Sequence, residues 1–268
     1  MPQTINTNLV SLNAQRNTTM SQNALSTAMQ RLSSGLRVNT AKDDAAGLAI
    51  GERMNAQIRG MNVAIRNAND GISLAQTADG ALATVSEALQ RMRELAVQTI
   101  NGSNGAGDRA NLDAEFQELK AEITRIATQT KFNGISIIDT GAGAQIFQVG
   151  ANSGDTLTVT TAAITSVAGD LLSTANGNTA LAAIDGKLDA INTDRAKYGA
   201  AMNRFSFAIS NLQIGSENQS AARSRIMDAD FAMETANLAR AQILQQAGNA
   251  MVAQANQLPQ QVMALLRN

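Results

Sequence analysis

The chain has 268 residues and a formal net charge of −1, and it contains neither cysteine nor histidine. Their absence removes thiol nucleophiles and the usual thiolate and imidazole metal ligands, so we predict no enzyme, no cofactor and no metal site. Because no sizeable run of lysine or arginine occurs, nucleic acid is not an expected partner. Alanine accounts for 48 residues and aromatics for 3%, and such small apolar side chains favour long helical rods and bundles.

The N-terminal segment is polar, with a lean apolar pattern formed by Leu25, Met29, Leu32 and Leu36. Because a helix with few large apolar residues needs packing partners, we expect this segment to be poorly ordered alone and to become ordered by pairing with copies of the chain. It lacks the apolar core of a cleavable signal peptide, so export would need another route. No later stretch reaches the roughly 20 apolar residues of a membrane span.

An acidic pair, Asp43 and Asp44, precedes a long helical pattern. Catalytic carboxylates are one interpretation, but neighbouring residues on a helix point in different directions, and a helix cap is favoured. The apolar residues then form a coiled-coil seam, at positions 58, 61, 65, 68, 72, 75, 78, 82, 85, 89 and 92. A helix from Ala45 to Thr99 would be about 80 Å long.

A second helix is predicted after the Gly/Asn-rich break at 101–108, and the two helices should form a hairpin. Its seam is Leu112, Phe116, Leu119, Ile123 and Ile126. Glu115, Glu118 and Glu122 share one face of it, a spacing that carboxylate metal sites use. Without histidine or a second acidic helix, a solvated face is the favoured interpretation.

Residues 132–165 change character to short runs of β-branched residues separated by turns, which predicts a β-hairpin. The GAGA run at 141–144 lacks the Lys-Ser/Thr of a phosphate-binding loop and is interpreted as a turn. Residues 166–180 are predicted to form a loop at the tip of the molecule. A third seam follows, with Arg195 in one apolar position, at Leu181, Ile184, Leu188, Ile191, Tyr198, Met202, Phe205, Ile209 and Leu212.

Two segments closely resemble the terminal signatures of bacterial flagellins: LSSGLRVNTAKDDAAGLAI at 32–50 and SRIMDADFAMETANLARAQILQQAGNAMVAQANQLPQQVMALL near the C-terminus. DGISLAQTADGAL, LQRMRELAVQT, TKFNG and QVGANSGDTL between them resemble the flagellin rod domain. Many flagellins carry large outer domains between their two conserved halves, whereas this chain has only the short stretch around Gly169 to Gly177 at that place. The resemblance therefore implies a flagellin with a minimal central region and a thin, smooth filament, without the HExxH protease insert of some relatives.

The fold implied by the resemblance is mainly α, with long antiparallel coiled-coil helices forming a rod and a small β-hairpin region. Residues 1–42 and 228–268 would form the paired helices of an inner-tube domain. Residues 43–227 would form the rod domain, with the hairpin at about 132–165 and the tip loop at about 166–180.

The function implied by the resemblance is that of a structural subunit, which polymerises as a helical homopolymer into the extracellular flagellar filament for swimming. Export would follow the flagellar type III pathway without a cleaved signal peptide. The implied partners are the filament cap, hook-associated proteins and an export chaperone on the C-terminal helix. The residues expected to drive polymerisation are Leu25, Met29, Leu32, Leu36, Phe231, Leu238, Ile243, Leu244, Leu258 and Leu265.

A second surface follows from the same resemblance. Leu89, Arg91 and Leu95, together with Glu115 on the returning helix, match the surface by which similar flagellins engage the flagellin-sensing Toll-like receptor of animal hosts and contact neighbouring subunits. For Arg91, an ordinary solvated position is the alternative. For the whole chain, the alternatives are a hook–filament junction protein and an unrelated coiled-coil binding module such as an adhesin.

Overall fold

The computed structural model describes the backbone from residue 7 to residue 266 and the side chains from residue 7 to residue 257. The elements, in chain order, are α1 (Leu9–Ser34), α2 (Ala45–Ile100), α3 (Ala106–Gln129), β1 (Lys131–Phe132), β2 (Ile135–Ser136), β3 (Gln145–Gln148), β4 (Thr156–Val159), α4 (Thr174–Met227) and α5 (Phe231–Leu266). They fall into two compact units, one formed by Met1–Ala56 with Asn218–Asn268 and one by Gln57–Glu217. The predicted mainly α fold is confirmed.

The core of the second unit is formed by the three predicted seams. The helices α2 and α4 run antiparallel, because Asp79 of α2 pairs with Arg195 of α4 while Arg93 pairs with Asp185. The fully buried large side chains of the three helices are Leu82, Leu89, Met92, Leu95, Phe116, Ile123, Ile184, Tyr198 and Phe205. Apart from Leu95, all of these were predicted as seam residues from apolar steps of three and four, which follow one face of each helix.

The predicted reversal between α2 and α3 is also present. The Asn104 side chain donates to the Gln98 carbonyl at 2.6 Å and thereby covers one of the free carbonyls at the end of α2. At the start of α3, the Gly105 amide donates to the Asp108 carboxylate at 3.0 Å. One polar contact thus closes the end of α2 and the other caps the start of α3, so few residues are needed between the two helices.

The strand region differs from the prediction of one hairpin over residues 132–165. It contains two separate two-stranded sheets, β1 with β2 and β3 with β4, both antiparallel. Asn133 and Gly134 both have positive φ, 48° and 81°, which is the geometry of a tight hairpin turn between β1 and β2. The prediction of one hairpin was therefore wrong, because the Asn133–Gly134 pair already reverses the chain at the start of this region.

The predicted tip loop at 166–180 is wrong in its second half. Helix α4 already begins at Thr174, where the Ser173 hydroxyl accepts a hydrogen bond from the Asn176 amide at 3.1 Å and acts as an N-cap. Gly177 lies close to α2, since a Cβ there would be 3.1 Å from a side-chain carbon of Ile100. Glycine and asparagine suggested a loop, but capping and close helix packing outweigh that local preference.

In the first unit, α1 ends at a left-handed glycine, Gly35, with φ 71°. The next residues run beside the link between α4 and α5: the Arg37 amide donates to Met227 at 2.7 Å, and the Ala229 amide donates to Gly35 at 2.9 Å. Leu36 was assigned to the apolar face of the terminal helix, and this is wrong. It lies beyond the helix end and forms an isolated bridge with Asp228.

The first unit extends further along the long helices than the predicted boundaries at residues 42 and 228. It includes the start of α2 and the end of α4. A Cβ on Gly51 would lie 2.7 Å from the Met227 sulfur. The second turn of α2 therefore packs against the last residue of α4, which adds both stretches to this unit.

Candidate interaction surfaces

The terminal helices α1 and α5 pair antiparallel within one chain. Near one end, the Asn8 side chain donates to the Ala255 carbonyl at 2.7 Å, and near the other, Arg31 and Glu234 form an ion pair at 2.8 Å. Glu234 is buried and Arg31 partly so. This pair therefore fixes which turns of the two helices face each other.

Small side chains occupy the contact between α1 and α5. Up to residue 257, the buried residues of these helices, apart from Glu234, are Ser11, Ala28, Ala241 and Ala255. A Cβ on Gly248 would lie 2.6 Å from the Thr18 hydroxyl oxygen, so the two backbones approach closely. Because small residues make this contact, large apolar side chains are left on the outside.

Among the side chains that the structure describes, ten large apolar ones of α1 and α5 are exposed, each by more than half of its surface. They are Leu9, Val10, Leu12, Met20, Met29, Phe231, Met233, Ile243, Leu244 and Met251. Exposed apolar side chains in this number are unusual on a monomer and are typical of surfaces that another molecule covers. The paired helices thus do not bury their own apolar residues.

The predicted terminal residues divide into three groups. Met29, Phe231, Ile243 and Leu244 are exposed, whereas Leu25, Leu32, Leu36 and Leu238 are half-buried. Leu258 and Leu265 lie outside the residues whose side chains the structure describes. The prediction missed Leu9, Val10, Leu12, Met20 and Met233, although the run NLVSL was a visible apolar signal.

An open groove between α1 and α5 gathers several of these side chains. One stretch has a volume of about 720 Å³ and includes Met20 and Leu244. The adjoining stretch, of about 310 Å³, includes Val10 and Met251, and Leu244 lines both. The groove is therefore a continuous apolar trough along the helix pair.

Charged side chains line this trough near one end, where Arg31 pairs with Glu234 and Arg240 lies close by. By contrast, from Ala241 to Leu266 there is no Asp, Glu, Lys or Arg, and from Leu9 to Gln30 there is only Arg16. Close approach of two such surfaces meets little charge repulsion and little desolvation of ions. Their polar residues are amides and hydroxyls, which can form hydrogen bonds in many arrangements.

The charged surface of the second unit is centred on Arg91. Its guanidinium contacts Glu115 of α3 at 2.8 Å and Glu94 of α2 at 2.9 Å, and all three side chains are exposed. The hydrogen bond to Glu115 raises the pKa of Arg91 above its ordinary value, and Glu94 adds to this effect. Arg91 and Glu115 therefore come together as predicted.

Leu89 and Leu95 do not belong to that surface. Their exposed fractions are 2% and 1%, and both side chains pack in the core of the second unit. Placing them on an interaction surface was therefore wrong. Leu89 is two positions from Arg91 and therefore faces another side of the helix. Leu95 is four positions from Arg91 and adjacent to it along the helix, but its side chain is covered by packing.

The remaining acidic candidates have structural roles. The Asp44 carboxylate accepts the Gly47 amide at 2.8 Å as the cap of α2, as predicted, and Asp43 accepts hydrogen bonds from the Thr40 amide and hydroxyl, which lower the pKa of Asp43. Glu122 pairs with Arg125 at 2.5 Å. Within the described residues, no group of three acidic or histidine side chains is arranged to hold a metal ion.

Arg195, the polar residue in the third seam, is also explained. It pairs with Asp79 across the helices at 2.7 Å, and both side chains remain about one-third exposed. The pair lies at the edge of the seam, where its charges keep contact with water.

Over the residues that the structure describes, no helix combines the length and the apolar character that crossing a membrane requires.

Comparison with known proteins agrees with this architecture. The family model for the bacterial flagellin N-terminal helical region matches residues 5–142, and that for the C-terminal helical region matches residues 181–266. A flagellin of Halalkalibacterium halodurans is 49% identical over 270 residues, covering 98% of this chain and 99% of that protein. A flagellin of Xenorhabdus nematophila is 41% identical over 313 residues, covering both chains fully.

A solved structure gives the same result. The crystal structure of Bacillus cereus flagellin is 36% identical, with a TM-score of 0.52, and covers 59% of this chain and 94% of that chain. Between the two family models only residues 143–180 remain unmatched, which agrees with a minimal central region. The chain therefore belongs to the bacterial flagellin family, the structural subunits of the extracellular flagellar filament.

Proposed function

We propose that this chain polymerises, through α1 and α5, into a flagellar filament that serves swimming motility. The observation that carries the proposal is the exposure of large apolar residues on a helix pair whose internal contact is made by alanine and serine. Neighbouring copies would cover those side chains. Because the contact is between different surfaces of identical subunits, it continues as a helical lattice.

The energetic argument rests on burial. Covering a Leu, Ile or Met side chain fully stabilises by about 1.5–3 kcal/mol, so covering the exposed half of each adds on the order of 1 kcal/mol. Ten such side chains per subunit offset a substantial part of the entropy lost on association. Within residues 9–30 and 241–266 the only charged residue is Arg16, so little charge repulsion opposes contact there.

We further propose that the terminal segments become ordered during assembly, after export as an extended chain by the flagellar type III pathway. In this proposal the filament cap and hook-associated proteins receive the subunit, and an export chaperone covers the C-terminal helix beforehand. The same apolar side chains would serve both the chaperone and the filament. Hydrogen exchange of α1 and α5 should therefore be much slower in filaments than in monomers.

A matched pair of substitutions tests the assembly surface. Ile243 in α5 and Ile146 in β3 are 66% and 68% exposed. Ile243→Gln should raise the monomer concentration that remains in equilibrium with filaments about tenfold, which corresponds to about 1.4 kcal/mol. Ile146→Gln should leave it nearly unchanged, as measured by sedimentation after seeded assembly. An equilibrium monomer concentration that is the same for both variants and the parent protein would contradict the proposal.

We also propose that the surface around Arg91, Glu94 and Glu115 is recognised by the flagellin-sensing Toll-like receptor of animal hosts. The support is an exposed arginine held in place by two carboxylates from two helices. Leu89 and Leu95 would contribute only by packing the helices beneath it.

The receptor proposal has its own matched control. Arg125 is also exposed and paired with a glutamate on a helix surface. Arg91→Asp should strongly reduce activation of receptor-expressing cells by monomer, whereas Arg125→Asp should not. Circular dichroism of both variants checks that the helices remain folded. Activation by the Arg91 variant at the parental level would refute this part of the proposal.

A further inference from the structure

The methionines of the chain differ sharply in exposure. Within the part whose side chains are described, four are more than half exposed, and all four belong to the terminal helices: Met20 and Met29 in α1, and Met233 and Met251 in α5. Met61, Met92 and Met227 are buried, with exposed fractions of 8% or less. Among the described residues, the strongly exposed thioether groups thus all lie on the terminal helices proposed for assembly.

Composition leaves methionine as the side chain that a mild oxidant attacks. The chain has no cysteine, no tryptophan and no histidine, and its single tyrosine, Tyr198, is 1% exposed. A two-electron oxidant such as a peroxide would therefore react with exposed methionines first, because no thiol competes for it.

We propose that Met20, Met29, Met233 and Met251 are sites of reversible oxidation whose conversion to sulfoxide blocks polymerisation. The sulfur lone pair attacks one peroxide oxygen, the O–O bond breaks, an S–O bond forms and water leaves. Each methionine loses two electrons and the peroxide is reduced. A methionine sulfoxide reductase, using a dithiol as electron donor, reverses the change.

The reason for the block is the position of these residues. Met20 and Met251 line the two stretches of the apolar trough, beside Leu244. A sulfoxide there is polar and must be desolvated when a neighbouring subunit covers it, at a cost typical of an unpaired buried polar group. This inference rests on the proposed assembly function, because only assembly buries these side chains.

The experiment uses the full chain. Monomer is treated with hydrogen peroxide and quenched, and peptide mass spectrometry then measures sulfoxide at each methionine. We expect the four exposed residues to react at least about tenfold faster than Met61, Met92 and Met227. Oxidised and untreated samples are then seeded with filament fragments. The equilibrium monomer concentration should rise about tenfold for each sulfoxide that assembly buries.

Two controls separate this effect from general damage. In a variant with leucine at all four positions, the equilibrium monomer concentration should be the same before and after peroxide treatment. A variant with leucine at the half-buried Met54 and Met202 should stay as peroxide-sensitive as the parent. Treating the oxidised parent protein with methionine sulfoxide reductases should restore its assembly, which provides a test that needs no substitution.

The outcomes distinguish this inference from the proposed function. Parent protein that carries sulfoxide at all four positions and still assembles at the untreated concentration would overturn the inference alone. The same conclusion follows if peroxide inhibits the four-leucine variant as strongly as the parent. Untreated parent protein that never assembles from seeds would instead overturn the proposed function.

Discussion

The hydroxyl of Tyr198 accepts a hydrogen bond from the backbone amide of Ala162 at 2.9 Å. It also donates to the Ile137 carbonyl at 3.3 Å, and both contacts are buried. The single tyrosine of the chain thus ties α4 to two stretches of the irregular region between α3 and α4. Apolar residues of the same region, such as Ile138 and Leu171, are also buried in the core, so the tyrosine adds two polar contacts to an apolar attachment.

Replacing Tyr198 by phenylalanine should destabilise the second unit by about 1–3 kcal/mol, because the buried Ala162 amide loses its partner. Denaturant unfolding followed by circular dichroism measures the change. Ser206→Ala on the same helix is the control, since its exposed hydroxyl bonds only to a carbonyl four residues earlier and its loss should cost less than about 0.5 kcal/mol. A phenylalanine variant as stable as the parent would show that the contact is dispensable.

The same tyrosine should make stability depend on alkaline pH. Burial raises the pKa of Tyr198 above the ordinary 10.0, and this outweighs the Ala162 hydrogen bond, which lowers it. The unfolded chain therefore loses the phenolic proton first. The tyrosine's contribution is complete below the ordinary pKa and is lost as pH rises through the higher folded pKa.

The measurement compares the unfolding free energy of the parent and Tyr198→Phe from about pH 9 upward. The difference between the two proteins should shrink as pH rises, because only the parent must ionise a buried phenol. Absorbance of tyrosinate reports Tyr198 alone, since the chain has no other tyrosine. A titration midpoint at or below the ordinary value would contradict the prediction.

Two glycines of α2 should respond in opposite ways to alanine. A Cβ on Gly71 would lie 2.6 Å from the ring of Phe205, which is itself buried and packed edge-on against Phe147. Gly71→Ala should therefore cost about 1–3 kcal/mol through overpacking. A Cβ on Gly80 meets nothing within 4 Å, so Gly80→Ala should stabilise by about 0.5–1 kcal/mol through helix propensity.

Thermal unfolding of the two variants tests this pair directly. Opposite shifts of the melting temperature are expected, with the larger shift for Gly71→Ala. If Gly71→Ala raised the melting temperature as Gly80→Ala should, helix propensity alone would explain the data and close packing at Gly71 would be refuted.

The cap of α2 gives a prediction for the first unit. Asp44→Ala removes the acceptor of the Gly47 amide and should cost about 1 kcal/mol, whereas Asp44→Asn should cost much less, because asparagine caps about as well. Hydrogen exchange of the first turn of α2 is the local measurement. Equal protection in both variants would mean that the side-chain cap does not hold this helix end.

Several features of this protein were determined by the sequence alone. Steps of three and four set which residues of α2, α3 and α4 share a face, and near-absence of proline allowed long helices. The cap at Asp44, the reversal after α2 and the family membership were also readable, because each depends on residues adjacent in the chain. Local chemistry was sufficient for these features.

Other features were decided only by tertiary structure. The family resemblance placed Leu89 and Leu95 on an interaction surface, although periodicity had already assigned Leu89 to a seam and both lie in the core. Nor did local residues reveal that alanine and serine would form the α1–α5 contact and leave Met20 or Ile243 outside. Which face of a helix is covered depends on residues far apart in the chain. The burial of a side chain also depends on how closely two helix backbones approach, and no single segment encodes that distance.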